Sequence, residues 1–265
     1  MALSSQDRHR LAMDALAATA RSRPVFAAES AAALHGIPVV GGWPVHPRVA
    51  ASLQRSRRPR VGTSGRWEAV ADEEIVDVDG LRATCPARTA IDLAAERTLE
   101  SAVAAVDHVV RVHGVPFAEL RAQVSARRPF PGVQKVDAAL RVATGLAESV
   151  LESLSLVRIH QLGFRRPEQQ VEVDVGGARY RVDFLWRAEG VVGEADGRSK
   201  YDEAPAAAVW NEKLREDDLR SAAPGFARWG WDEAWSGAPL AVRLERAGLT
   251  PDPRNASKYA FRMRD

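Results

Sequence analysis

The stretch at residues 178–201, ARYRVDFLWRAEGVVGEADGRSKY, constrains the fold more than any other part of the chain. It reads as a β-hairpin. Aromatic and β-branched residues alternate over 179–186, Arg187-Ala188-Glu189-Gly190 supplies the turn, and 191–196 returns as the second strand. A register that pairs Trp186 with Val191 sets Asp183 directly opposite Glu194. Opposed side chains on one sheet face sit about 5 Å apart at Cβ, where like charges repel. Such a pair persists when a proton or a cation is shared between its members. One or two carboxylates with water and substrate phosphate are also the ligands that suit a hard divalent ion. The hairpin therefore points to a metal held by Asp183 and Glu194.

The flanking segments build a mixed sheet around this hairpin. Residues 148–162 read as a helix with Val150, Leu151, Leu154 and Val157 as its buried stripe, ended by Gly163. Residues 169–175 form a strand, and Gly176-Gly177 a tight turn into the hairpin. A helix over 206–222 turns Val209, Trp210 and Leu214 inward; a strand over 225–231 and a helix over 232–247 close the chain. Helix, three strands, helix, strand, helix mixes hairpin and crossover connections around one sheet, an α/β arrangement. Glu148 and Glu152, spaced i and i+4, share one helix face. In the hairpin register Asp196 falls opposite Arg181, as a cross-strand ion pair or as a further carboxylate at the metal. Trp229 and Trp231 alternate on a strand, which favours core packing over base stacking for these rings.

The first half is helix-rich with a strand-rich middle. Residues 6–21 and 27–35 are alanine-rich helices broken by Pro24 and by Gly36-Ile37-Pro38. Short strands are expected over 43–78, where Arg55, Arg57, Arg58 and Arg60 read as guard charges on a solvated edge rather than phosphate contacts. Pro86 opens a helix, followed by helices over 102–112, 116–124 and 134–144. His108 and His113, five residues apart, do not share a helical face and read as structural histidines. The domain boundary falls between 144 and 145, giving domains of 1–144 and 145–265.

Composition narrows the setting. No apolar run approaches the ~18 residues a membrane span needs, and MALSSQDRHRL lacks the form of a secretory signal. Cys85 is the single cysteine, so neither a disulfide framework nor a cysteine zinc site exists within one chain, and a cytoplasmic location is expected. Of 37 basic residues four are lysine (Lys135, Lys200, Lys213, Lys258), a bias towards arginine that fits a GC-rich bacterial genome. Up to Thr144 there are 19 basic and 15 acidic residues, and after it 18 and 20, so neither half is a broadly basic nucleic-acid binder. His160 is the one histidine after Thr144, which argues against a histidine-based metal site there.

Two resemblances follow from these residues. Glu148-Ser149, Glu152-Ser153, Leu162-Gly163, Arg181-Val182-Asp183-Phe184, Glu194-Ala195-Asp196-Gly197, Lys200-Tyr201 and Glu212 to Asp217 stand in an order that resembles the PD-(D/E)xK nuclease superfamily. The Vsr-related group of bacterial domains is the nearest in pattern. The resemblance implies a restriction-endonuclease-like mixed sheet on which Asp183, Glu194 and Glu152 hold the metal, which polarises a scissile phosphate and activates water. The lysine usual two residues after the second acid is Asp196 here. Lys200, just past the strand, and Lys213, on the next helix, are the candidates to supply that charge. In the first half, RPVFAAESAAALHGIP (23–38), GLRATCPARTAIDL (80–93) and the segment 103–112 are similar to the AbiEi-like antitoxins of type IV toxin–antitoxin systems. Such proteins usually begin with a DNA-binding winged helix, for which the twenty or so residues before this module are too few.

The leading expectation is a Mg²⁺- or Mn²⁺-dependent DNA endonuclease. Its catalytic residues would be Asp183, Glu194, Lys213, Lys200 and Glu152, and its metal ligands Asp183, Glu194, Glu152 and Asp196. The alternative is a non-catalytic antitoxin-like regulator using a degenerate nuclease fold to bind nucleic acid or a partner protein, since loss of the lysine converts such folds to binding modules. DNA, a toxin or antitoxin protein and a second copy of the chain are the expected partners.

Overall fold

The structure, a computed structural model, describes residues 3–50, 70–196, 206–252 and 254, with residues 206–213 as backbone only. The chain divides into two compact units, Met1–Gly145 and Leu146–Asp265, each a mixed α/β arrangement around one sheet.

In the first unit, α1 (Ser5–Thr19) opens on a capping box, Ser4 accepting the Asp7 N–H while the Asp7 carboxylate accepts the Ser4 N–H. The helix α2 (Ala28–His35) stops at Gly36, whose φ of 69° is the left-handed cap that glycine adopts without strain. Strand β1 (Val25–Phe26) runs parallel to β3 (Leu81–Thr84), which pairs antiparallel with β2 (Ile75–Val78). A two-residue strand leaves no alternation to read, so β1 escapes sequence analysis. The strands expected over 43–78 reduce, among the described residues, to β2 and an isolated Phe26–Val49 bridge. Arg55, Arg57, Arg58 and Arg60 lie outside the described residues. Four helices complete the unit: α3 (Pro86–Glu96), α4 (Leu99–Arg111), α5 (Phe117–Arg127) and α6 (Val133–Val142). Ile91, Leu93, Val103, Val106 and Val109 are buried, the stripe an amphipathic helix pair requires.

The second unit runs α7 (Val150–Gln161), β4 (Glu168–Val175), β5 (Ala178–Trp186), β6 (Val191–Ala195), α8 (Ala206–Ala222), β7 (Gly225–Trp229), α9 (Trp231–Ser236) and α10 (Ala238–Arg246). The sheet order is β4-β5-β6-β7; the first three strands are antiparallel neighbours, and the crossover through α8 makes β7 parallel to β6. Trp186 pairs with Val191, the register read from the turn. Leu154, Phe184, Trp186, Trp229, Leu240 and Leu244 form one buried cluster, and Val182, Leu185, Val192 and Leu219 a second. β6 is buried along its whole length, as a central strand covered by helices on both faces must be.

Several local expectations change. Ser149 caps α7 by accepting the Glu152 N–H, so Glu148 precedes the helix and does not share a face with Glu152. β7 ends at Trp229, and Trp231 starts α9 with 41% of its surface exposed instead of lying buried on a strand. The single closing helix is two, because Gly237 at φ 78° breaks it and Pro239 starts the next turn. Leu214 is 47% exposed rather than inward-facing; the side chains of Val209 and Trp210 lie outside the described residues.

Candidate functional site

The hairpin brings the acids together through a local break in the sheet. β5 pairs with β6 from Trp186–Val191 to Phe184–Gly193, and one step further along that register stand Asp183 and Glu194. On its other side β5 pairs with β4 at Gln169–Phe184 and Val171–Val182, skipping Gln170 opposite Asp183. Gln170 has a φ of 53°, a left-handed conformation that costs a non-glycine residue about 1–3 kcal/mol. Side-chain alternation resets there: Val182 belongs to the cluster with Leu219, Phe184 and Trp186 to the cluster with Trp229. The kink frees the Asp183 carboxylate from the strict in–out pattern. Its Oδ2 accepts the Ala195 N–H at 2.9 Å, and its Oδ1 accepts the Gln170 side-chain amide at 3.3 Å.

Glu152 reaches the same place from α7. Its Oε1 accepts the Ser149 hydroxyl at 2.9 Å, and its Oε2 accepts the Glu148 N–H at 2.9 Å and the Gln170 amide at 2.8 Å. Gln170 thus bridges Glu152 and Asp183. Burial raises the Glu152 carboxyl above its ordinary range, and the nearby Asp183 charge adds to the effect.

Glu194, buried on β6, faces α8. Arg215 donates to its Oε1 at 2.9 Å and to its Oε2 at 3.5 Å, and to the Arg181 carbonyl at 2.8 Å. Burial, then the charge of Asp183, pushes the Glu194 carboxyl up to about 7 despite the opposing pull of Arg215. The mutual repulsion inferred from the register is therefore present in the fold. Asp196 follows β6 and lies 3.8 Å from Arg228, while Arg181 pairs with Glu148 at 2.7 Å, so the expected Asp196–Arg181 pair is replaced. The replacement follows from the sheet: the β5–β6 ladder stops at Phe184–Gly193 while β6 pairs with β7 throughout, and the Asp196 N–H donates to the Trp229 carbonyl. Lys200 and the Lys213 side chain lie outside the described residues. Among the described residues, no group of three or more His, Cys, Asp or Glu side chains is arranged to hold a metal ion.

Two members of this cluster could not be singled out from the sequence. Arg215 stood within the quoted acidic–basic run of α8, but helical spacing could not rank it above Lys213. Gln170 carried no signal, because its role depends on a backbone kink.

The first unit holds two further groups of polar side chains. Arg48 pairs with Glu29 (3.5 Å) and Glu96 (2.6 Å), Arg97 with Glu29 (3.6 Å), Arg88 with Glu74 (2.7 Å) and Asp92 (2.9 Å), and Arg127 with Asp92 (3.5 Å). Arg48, Arg88, Arg127, Asp92 and Glu96 line a small cavity. Nearby in sequence, the His35 and His113 rings lie 5.7 Å apart and those of His108 and His113 5.5 Å apart. The His35 Nε2 donates to the Thr84 carbonyl at 2.7 Å and the His113 Nε2 to the His35 carbonyl at 3.0 Å. Burial lowers the His35 and His108 pKa values, which favours the neutral rings. Five-residue spacing excluded one helical face for His108 and His113, but the loop after α4 folds them back together.

Residues 24–142 match the family model of the AbiEi antitoxin C-terminal domain. Two uncharacterised proteins of Mycobacterium tuberculosis, from strains CDC 1551 / Oshkosh and ATCC 25618 / H37Rv, are each 31% identical over 146 residues, covering 55% of this chain and 46% of the relative. The chain spans about half the length of these curated relatives. The matched segment holds, from Pro24 on, all three stretches that resembled the antitoxins, together with the ion-pair network and the histidine cluster. No helix of the described residues is long and apolar enough to cross a membrane.

Proposed function

We propose that this protein is a non-catalytic antitoxin-type regulator that binds nucleic acid or a toxin protein. The observation that carries the reading is the match of residues 24–142 to the AbiEi antitoxin C-terminal domain. The second unit then serves as a degenerate nuclease-type sheet domain. Its acidic cluster supports this: each oxygen of Glu152, Asp183 and Glu194 already accepts a hydrogen bond from a protein donor. A Mg²⁺ ion demands near-ideal octahedral oxygen geometry and several waters. Arg215 already supplies at Glu194 the positive charge such an ion would bring, so the cluster as arranged does not call for one.

The second reading, Mg²⁺- or Mn²⁺-dependent cleavage of DNA by Asp183, Glu194 and Glu152 with Lys213 or Lys200, rests on the repulsion between Asp183 and Glu194. One pair of assays separates the two. A regulator retards DNA from upstream of its own gene in EDTA, or rescues growth when co-expressed with the product of the adjacent gene, and leaves plasmid intact in Mn²⁺. Plasmid nicking that disappears in Asp183→Ala would establish the nuclease instead. Absence of DNA retardation, rescue and nicking together would refute both.

A further inference from the structure

We propose that Arg215 is a built-in counter-cation that occupies the place of a divalent ion at Glu194, making the acidic cluster indifferent to metal. This inference does not depend on the antitoxin reading. Its basis is an acid constellation that calls for a cation and a guanidinium that already stands where two of its oxygen donors converge.

The position of one atom carries the argument. The Arg215 Nη2 lies 2.9 Å from a carboxylate oxygen of Glu194 and 2.8 Å from the Arg181 backbone carbonyl. A carboxylate and a backbone carbonyl converging on one point are the oxygen donors a hard cation takes. Here a guanidinium nitrogen takes them. The second nitrogen, Nη1, reaches the other Glu194 oxygen at 3.5 Å, so the fork spans the carboxylate. The pair is largely removed from water, with side-chain exposures of 22% for Arg215 and 8% for Glu194. A charge in such a setting needs its partner, because its desolvation is otherwise uncompensated.

At the other end of the cluster a neutral group bridges the two remaining acids. The Gln170 amide spans Glu152 Oε2 and Asp183 Oδ1, at 2.8 and 3.3 Å, from a backbone held at φ 53°. Strain of that kind persists where surrounding contacts over-determine it. Arg228 adds positive charge to Glu194 from farther off, itself held by Glu216 at 2.8 Å. Arg215, on α8, thus acts as a positioning residue that ties β5, β6 and α8 together at the point where the ladder between β5 and β6 ends.

The test is Mn²⁺ binding to the full chain, read by loss of the free-ion EPR signal, for the wild type and Arg215→Gln. The wild type should bind no tighter than about 1 mM, the weak end for carboxylate cation sites. Arg215→Gln, which removes the charge and leaves the Glu194 and Arg181 oxygens, should bind at least about tenfold tighter. Its melting temperature should rise in Mn²⁺ relative to EDTA while that of the wild type stays level. Wild-type binding below ~1 mM that is lost in Asp183→Asn would overturn the proposal. So would equal affinity in the two proteins. If Arg215→Gln does not fold, Arg215→Met, an uncharged side chain of similar length, decides by the same readout: a gain in affinity is expected, and no gain refutes the idea.

Discussion

Replacing Gly193 by alanine tests the packing behind the acidic cluster. A Cβ at this position would lie 2.8 Å from Trp229 Cη2, 2.9 Å from Trp186 Cζ3 and 3.1 Å from Trp229 Cζ3. Carbon atoms prefer ~3.5–4.0 Å, so each ring would have to move by roughly 0.5–1 Å. Neither ring is free to do so. The Trp229 Nε1 donates to the buried Ser155 hydroxyl at 2.7 Å, and the Trp186 Nε1 to the Arg165 carbonyl at 2.7 Å. Trp229 also stacks on Phe184 with ring centroids 5.5 Å apart. Overpacking of this kind costs about 1–3 kcal/mol, and stretching one of the indole hydrogen bonds adds about 1 kcal/mol. The lower entropy of the unfolded alanine chain returns about 0.4–1 kcal/mol. The balance is a loss of about 2 kcal/mol, which in a unit of this size lowers the melting temperature by roughly 6–10 °C. Tryptophan fluorescence and near-UV circular dichroism during thermal unfolding measure it. Gly230→Ala is the control, since the nearest atoms to its Cβ are 3.5 Å away and its φ of −105° suits alanine. A Gly193→Ala melting temperature within about 2 °C of wild type would show that the two indoles yield, and the steric reasoning would fail.

The two units should respond to pH in opposite senses. The Glu194 carboxyl titrates near 7 in the folded protein against an ordinary 4.5, so the folded state holds its proton longer, and this contribution to stability falls as pH rises from 4.5 through 7. Glu194→Gln should flatten that slope, which is at most ~1.4 kcal/mol per pH unit; an unchanged slope in unit-specific melts would exclude Glu194 as its source. In the first unit, burial lowers His9, His35 and His108 below their ordinary 6.5, so the unfolded chain takes up protons first and stability falls as pH drops below 6.5. Chemical denaturation of the same protein at pH 7.5 and pH 5.5 checks the sign. Arg88→Met should cost about 3–5 kcal/mol, because Arg88 is 2% exposed and its loss takes the guanidinium from Glu74 and the nearer of two from Asp92, which keeps Arg127 at 3.5 Å. A loss under ~1 kcal/mol in urea unfolding would mean that the network repairs itself.

The sequence by itself determined what is local. Turn chemistry at 187–190 set the Trp186–Val191 register, and from it the opposition of Asp183 and Glu194. Apolar periodicity located α7, and the helix expected between strands implied a crossover connection, which the structure realises as the parallel β6–β7 pair. The antitoxin resemblance was legible for the same reason, since it rests on contiguous stretches within residues 24–142. Tertiary structure decided what closes the acids. Arg215 comes from another element and Gln170 from a kink with a φ of 53°, and neither leaves a mark of period or spacing. The gathering of His35, His108 and His113 and the exposure of Trp231 were decided the same way, by a loop that turns back and a strand that ends two residues early. Like charges can be read as neighbours from one ladder, but the group that neutralises them is chosen by packing across the sheet. At Glu194 that group is a guanidinium on α8.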